Sequence, residues 1–401
     1  MLHGSQGQSR DAGSPQVARI AMHSRIIQIG GFDHVKAVFF GGGHPVVIQT
    51  MWKDRLSLAD LKGEAGKVLL RRIKILETIG CGLLRFAVPA PEDAEAIGEL
   101  AYRVSLPICA DIHFDYKIAL RCLDFPIAKL RINPGNIGNR RRVEKVVSKA
   151  AARNIPIRIG VNAGSLPGHL QEKMNKGLNR AEAMVLAAQE ELALFEELKF
   201  VNTTLSMKAS GITDTIRANR LFRTVSDIPL HIGVTEAGPL VSGTVRNTAV
   251  LLPLLSEGIG DTLRVSLSDT MENEIIAGRE ILNAARDMVS IPERFSINRF
   301  EDRFGNGVLL ISCPRCGRAC FDTINFVERW KTRLYSLDKN CTIAVMGCAV
   351  NGPGEAKDAD LGVTGAGNSI MIFKQGKVIK TIRVKNDVEI DRYFEEELKK
   401  L

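Results

Sequence analysis

Two groups of residues in this 401-residue chain have types and spacings suited to chemistry. The first is a set of thiols. Of the eight cysteines (Cys81, Cys109, Cys122, Cys313, Cys316, Cys320, Cys341 and Cys348), five fall within the 36 residues 313–348. Eight are too few for a disulfide scaffold in a chain of this length, and such clustering points to a metal or redox site. The run Cys313-Pro-Arg-Cys316-Gly places two thiolates on one knuckle, a spacing that suits zinc or an iron–sulfur cluster. A zinc ribbon needs a second C-x2-C about 15–20 residues further on, and the sequence has none. Cys348 is the favoured third ligand because it opens CAVNGPGE (348–355), a tight loop that ends in a carboxylate. By composition the fourth position falls to Cys320 or Cys341, each of which also reads as an ordinary buried cysteine. Cys81, Cys109 and Cys122 lie in or beside predicted core elements and read as packing.

The second group is cationic. Arg85, Arg131, Arg158, Lys208 and Arg264 each stand in or just after a different short apolar segment. Charge inside a strand buried on both faces is costly unless it is paired or ligand-bound. Guanidinium groups bind carboxylate or phosphate oxygens in bidentate fashion, so the set reads as a cradle for a di-anion such as a diphosphate. The competing reading pairs each cation with a local carboxylate on the rim. The acids at the same positions are Asp111 and Glu236. Glu236, in HIGVTEAG, suits a general acid or base, or a rim salt bridge. His113, in ADIHFD, suits phosphate contact or proton transfer, or a structural role. The turn NPGN (133–136) exposes backbone amides of the kind that bind anions.

These residues need a scaffold that brings them to one place. Eight short apolar segments rich in Val, Ile and Leu (residues 45–48, 83–88, 106–110, 128–132, 155–161, 200–206, 229–234 and 262–265) predict strands. Charged segments with helical spacing lie between them, at 60–77, 92–103, 115–121, 140–153, 180–198, 214–223, 244–255 and 269–286. Alternation of strand and helix implies a parallel sheet, and eight repeats imply a closed (β/α)8 TIM-type barrel. The polar residues fall at the strands' C-terminal ends, the face where barrel active sites lie.

After residue 290 the texture changes. Residues 292–304 read as a linker. They are followed by the cysteine knuckle, an amphipathic helix at 322–334, a strand at 342–345, a hairpin pairing 370–373 with 378–384, and a helix at 388–401. This is a second, smaller α+β domain. The expected organisation is a disordered tail at 1–24, the barrel at 25–290 and the small domain at 291–401.

Composition narrows the function classes. With 45% hydrophobic and 25% charged residues the chain reads as globular and soluble, with the cytoplasm as its default location. No apolar run approaches the roughly 18–20 residues of a membrane span, and the first residues lack the apolar core of a secretory signal. The net charge of +9 fits an anionic metabolite. A nucleic-acid protein is disfavoured, because aromatics are only 5% and no basic-aromatic stripe exists. A barrel with a zinc knuckle that merely binds a phosphorylated metabolite is the other rival.

Taken together, the motifs resemble the 4-hydroxy-3-methylbut-2-enyl diphosphate synthase (GcpE) family of the methylerythritol phosphate route to isoprenoids. The matching stretches are PVVIQTM (45–51), LLRFAVP (83–89), ADIHFDYKIAL (110–120), KLRINPGNIG (129–138), IRIGVNAGSL (157–166), SMKAS (206–210), HIGVTEAG (231–238), GIGDTLRVSLS (258–268), SCPRCGR (312–318) and GCAVNGPGEAKDADLGVTG (347–365). The resemblance implies a TIM-type barrel joined to a [4Fe–4S] domain, in the short bacterial two-domain form. It implies a two-electron reductive ring opening and dehydration of 2-C-methyl-D-erythritol 2,4-cyclodiphosphate, with ferredoxin or flavodoxin as electron donor. The implied cluster ligands are Cys313, Cys316, Cys348 and Glu355, so the fourth ligand becomes a carboxylate rather than a thiol. A hard oxygen ligand leaves one iron less tightly committed. The implied diphosphate site is Arg85, Arg131, Arg158, Lys208 and Arg264, with Asn162 and Ser266 nearby and Asp111 and His113 on the same face. Glu236 corresponds to the family's catalytic acid and Asn351 to a loop residue that reaches the substrate. A homodimer, in which one subunit's cluster domain closes over the other's barrel, is also implied.

Two departures stand out. The family usually has Met-Thr-Asn-Thr where this chain has Met51-Trp52-Lys53-Asp54, and Leu83 and Phe86 replace the more usual β-branched or polar neighbours around Arg85. The second departure reads as repacking.

Overall fold

The computed structural model describes residues 24–288, 297–299, 303–305, 307–313, 320–348, 356, 358–384 and 386–401. A short antiparallel hairpin, β1 (Ile27–Ile29) and β2 (Val38–Phe40), precedes the barrel. The barrel strands are β3 (Val47–Met51), β4 (Leu83–Ala87), β5 (Ile108–Asp111), β6 (Lys129–Ile132), β7 (Ile157–Asn162), β8 (Thr203–Lys208), β9 (His231–Ile232) and β10 (Thr262–Leu263). The helices between and after them are α1 (Gly63–Thr78), α2 (Pro91–Ala101), α3 (Tyr116–Cys122), α4 (Pro134–Ile137), α5 (Arg140–Ala152), α6 (Gly168–Asn175), α7 (Arg180–Glu197), α8 (Ile212–Arg223), α9 (Leu240–Ser256) and α10 (Met271–Asp287).

The eight strands form one parallel sheet in the order β8-β7-β6-β5-β4-β3-β10-β9. A parallel bridge between Leu205 and Leu230 joins its two ends, so the sheet closes. Five of the strands begin one to three residues later than the apolar runs predict, and β9 also starts late at residue 231. Pro45, Pro107, Pro156 and Pro229 stand at those starts; a proline has no N–H to give to a ladder. The carbonyls of Pro107, Pro156 and Pro229 do accept, from the N–H groups of Leu84, Leu130 and Leu205, each at 3.0 Å. β9 and β10 are shorter than expected, which puts Arg264 just past its strand.

The N-terminal hairpin is not apparent from the sequence. Its Ile27, Ile29, Val38 and Phe40 pack against Val47, Leu83, Cys109 and Ala128 and cover the barrel's N-terminal end. Ser24, expected in the disordered tail, is buried and donates to Asp261 Oδ1 at 2.6 Å.

The second sheet has the order β13 (Val308–Ser312), β14 (Cys341–Met346), β15 (Leu361–Ala366), β16 (Ser369–Lys374) and β17 (Lys377–Arg383). β13, β14 and β15 run parallel, and the last three pair antiparallel. β13 and β15 are additions to the sequence reading. Within the expected linker, β11 (Ile297–Arg299) and β12 (Arg303–Gly305) pair antiparallel. α11 (Thr323–Tyr335) and α12 (Asp387–Leu398) cover the sheet with Phe326, Trp330, Leu334, Ile390, Phe394 and Leu398. Arg329 ties the two helices through Asp387 at 2.7 Å and Asp391 at 3.0 Å. None of the described helices is long and apolar enough to cross a membrane.

Candidate active site

Side chains alternate along a strand, so every second residue of a barrel strand faces the axis. Barrels ordinarily fill that space with Val, Ile and Leu. Here the registers Met51↔Arg85↔Cys109↔Lys129 and Asp111↔Arg131↔Arg158↔Thr204 put charged and polar residues on the axis. Arg131, Arg158 and Lys208 are buried, while Arg85 and Arg264 are half-buried. The structure thus brings the five expected cations to one end of one barrel.

Two glycines make the crowding possible. A Cβ on Gly160 would lie 2.6 Å from Arg131 Nη2, and one on Gly233 would lie 2.9 Å from Lys208 Nζ. Such distances are too short for a real Cβ contact, so a side chain at Gly160 would displace Arg131, and one at Gly233 would meet the Arg264 carbonyl at 2.5 Å as well as Lys208.

The pairing of these cations divides between the two readings. Asp111, 2% exposed, holds Arg131 Nη1 at 3.0 Å and Arg85 Nε at 3.4 Å. Burial pushes its carboxyl up, but Arg85, a hydrogen bond from His113 and Arg131 outweigh that and hold it far below the usual range. Asp111 is therefore the internal counter-charge of the cradle. Arg264 pairs with Glu274, a residue with no place in the sequence reading; it is one of two acids, with Glu272, in the first turn of the helix after β10. Arg158 and Lys208 make no ion pair among the described residues, and Arg158 Nε and Nη1 have no hydrogen-bond partner there. Burial and the surrounding guanidinium groups push the Lys208 ammonium well below its ordinary value. The mouth carries more positive charge than its own carboxylates offset.

The remaining mouth residues follow the strand ends. Asn162 closes β7 and Ser266 follows β10, both half-buried. His113 is exposed, with its Nε2 at 2.9 Å from Arg131 Nη1. Glu236 is exposed and makes no ion pair among the described residues, so the rim salt bridge is not formed. Its φ is +56°, a left-handed conformation uncommon for residues other than glycine. Strain of this kind concentrates at functional sites. The NPGN turn is a short helix, α4, and its Gly135 N–H already donates to Glu191 Oε1 at 3.1 Å.

At the second sheet, Ser312 pairs with Val345, and the Cys313 N–H donates to Val345 O at 2.9 Å. Cys313 and Cys348 thus leave the same end of two adjacent parallel strands. Cys348 is buried, and Cys313 packs against the cluster of Ala344, Met346, Ala356, Ala359 and Phe373. Cys316, Asn351 and Glu355 lie outside the described residues; Ala356, which follows Glu355, is buried in that same cluster. No group of three or more metal-binding side chains occurs among the described residues. Cys81, Cys109 and Cys122 are buried as expected, whereas Cys320 is exposed; Cys341 is half-buried and packs against the core of the second sheet.

Residues 33–279 match the model of the GcpE TIM-barrel domain and residues 309–400 that of the GcpE protein C-terminal domain. The chain belongs to the GcpE family. It is similar to the 4-hydroxy-3-methylbut-2-en-1-yl diphosphate synthase (flavodoxin) of Treponema pallidum, at 49% identity over 94% of this chain and 92% of that protein. Proteins of the same name from Treponema denticola (45% identity) and Thermodesulfovibrio yellowstonii (41%) each cover 94% of this chain and 98% of their own. Among solved structures, a dihydropteroate synthase from Coxiella burnetii covers 64% of this chain and 99% of its own at 11% identity; its TM-score of 0.41 is too low to carry an argument. The chain is an oxidoreductase of the GcpE type.

Two residues of the segments read above as departures, Trp52 and Phe86, meet in the structure. Trp52 stacks on Phe86 with centroids 5.5 Å apart and planes at 23°. The Trp52 N–H donates to Arg85 O at 2.8 Å, which fixes the loop after β3 against the strand that carries Arg85.

Proposed function

We propose that this chain reductively opens 2-C-methyl-D-erythritol 2,4-cyclodiphosphate and dehydrates it to 4-hydroxy-3-methylbut-2-enyl diphosphate. The observation that carries the reading is the surplus of cations on one barrel face, with Arg158 and Lys208 making no ion pair among the described residues. Arg85, Arg131, Arg158, Lys208 and Arg264 bind the diphosphate oxygens, with Asn162 and Ser266 beside them. Asp111 keeps Arg85 and Arg131 apart and aimed, and His113 helps orient Arg131 by accepting from its Nη1. Two electrons enter, the bond from a ring carbon to a phosphate oxygen breaks, and that oxygen stays with the diphosphate. A neighbouring hydroxyl leaves with a proton as water. Glu236 supplies that proton from the mouth, where Asn351 also belongs.

The donor set fits an iron–sulfur cluster. Cys313 and Cys348 sit at one end of adjacent parallel strands, and Glu355 immediately precedes a residue packed beside Cys313. Cys313, Cys316, Cys348 and Glu355 would hold a [4Fe–4S] cluster, which when bound passes electrons one at a time. A flavodoxin or ferredoxin is the donor, and the working unit is a homodimer.

The deciding experiment is anaerobic turnover of the cyclodiphosphate with an artificial reductant. Glu236→Gln should retain iron and absorbance near 400 nm but lose about 10²-fold or more in kcat. Normal turnover by that variant would remove Glu236 as the acid. Stoichiometric zinc without iron in anaerobically purified protein would sink the cluster.

A further inference from the structure

The barrel's first and last strands are joined by a very short ladder. Only Val47↔Thr262 and Ile48↔Leu263 pair between β3 and β10. Above those pairs, on the side of the mouth, most of the seam contacts converge on one side chain. Glu274, in the first turn of α10 and 1% exposed, accepts five hydrogen bonds. Its Oε2 takes Thr50 Oγ1 at 2.6 Å and Arg264 Nε at 3.3 Å. Its Oε1 takes Arg264 Nη2 at 3.0 Å, the Leu267 N–H at 3.0 Å and Lys53 Nζ. Lys53 also donates to Leu267 O at 3.0 Å. One carboxylate therefore joins the end of β3, the loop after it, Arg264 and the loop after β10.

This arrangement has an electrostatic consequence. A bidentate carboxylate fixes the plane of a guanidinium, but it also cancels the charge that Arg264 would show to an anion. Lys53 restores it: two cations share one carboxylate, so the group keeps a net charge of +1. Lys53 stands in the segment where the family usually has a small polar run, so this chain carries a mouth cation beyond the expected five. Its loop is anchored by the Trp52–Phe86 stack.

We infer that Lys53 and Glu274 are positioning residues for the anion. Glu274 aims Arg264 across the seam, and Lys53 keeps that seam cationic enough to hold a diphosphate. The inference rests on the reading that the mouth binds a diphosphate.

The test uses the full-length, cluster-loaded enzyme. Inorganic diphosphate is titrated by calorimetry, and steady-state rates are measured with the cyclodiphosphate. Lys53→Met should raise both the diphosphate Kd and the substrate KM about tenfold, with kcat within about twofold. Lys53→Arg should recover most of the loss. Lys53→Met/Glu274→Gln, which also loses the carboxylate that aims Arg264, should bind diphosphate no tighter than Lys53→Met alone. Parent-like affinity in the double variant would overturn the inference. So would an unchanged Kd in Lys53→Met. If the parent enzyme itself binds no diphosphate, the functional reading falls first and the inference with it.

Discussion

Inside the barrel, Gln49, Lys129, Arg158, Thr204 and His231 occupy axial positions, and each has at least one buried polar atom without a hydrogen-bond partner among the described residues. Behind the second sheet, Phe326, Trp330 and Phe394 pack on Ile343, Val345 and Val363, and no Lys or Arg is buried among the described residues. The two regions serve chemistry in opposite ways. The barrel carries it within its core, at a cost in desolvation. The second domain keeps an ordinary core and hangs its thiols on the ends of strands. Residues at strand ends can change without loss of the fold, whereas axial charges in a barrel are inseparable from it.

The sharpest way to break this contrast is at Cys348. Cys348→Ser should abolish iron retention and lower turnover by at least about 10³-fold, yet leave the barrel's affinity for inorganic diphosphate within about twofold. Iron content, absorbance near 400 nm and calorimetric titration check the three parts. A large change in diphosphate affinity would show that the two regions are not separable.

The same contrast explains what could be read from the sequence. Charged residues inside Val- and Ile-rich runs are costly, so Arg131 and Arg158 advertised both their strand and their role as candidates. Partners were less legible. Glu274 lies in a helix ten residues beyond Arg264, and nothing local marks it as the seam carboxylate. The hairpin at 27–40 was invisible because it covers the barrel end with only three residues per strand. β13 was missed because half of it faces outward, with Leu309 and Ile311 exposed in an unpatterned run. Neither the Trp52–Phe86 stack nor the Lys53 contacts follow from spacing, since both join segments more than thirty residues apart.

A second test concerns the cost of axial charge. Lys129 is 0% exposed, its Nζ has no hydrogen-bond partner among the described residues and lies 4.7 Å from the Phe40 ring, and burial with Arg158 nearby pushes its pKa down to about 7. The unfolded lysine holds its proton up to about pH 10.4. Between those values the unfolded chain binds more protons than the folded one, so stability rises with pH across this window. Below about pH 7 the penalty is complete. Lys129→Met, of similar volume, should therefore stabilise the protein by about 2 kcal/mol at pH 6, and the gain should shrink toward pH 9.5. Thermal melts of parent and variant at both pH values decide it. A gain that is independent of pH would mean that packing, not charge, sets the cost.

The smallest effect is expected where the two regions meet. Tyr335, at the end of α11, donates its hydroxyl to Glu280 Oε1 at 2.7 Å, and its ring lies 5.0 Å from the Arg279 guanidinium. Arg279 Nη1 donates to the Tyr335 carbonyl at 2.5 Å and to Ile79 O at 2.9 Å, so the backbone contact does not depend on the hydroxyl. Tyr335→Phe removes one hydrogen bond and leaves Glu280 half-exposed and able to rehydrate. The cost should be about 1 kcal/mol, a fall of roughly 2 °C in Tm. Glu280 and Arg279 share α10 with Glu274, which holds the seam at the mouth. If the helix acts only as a strut, diphosphate affinity in Tyr335→Phe will match that of the parent. A measurable loss of affinity would mean that the second domain, through α10, sets the position of Arg264.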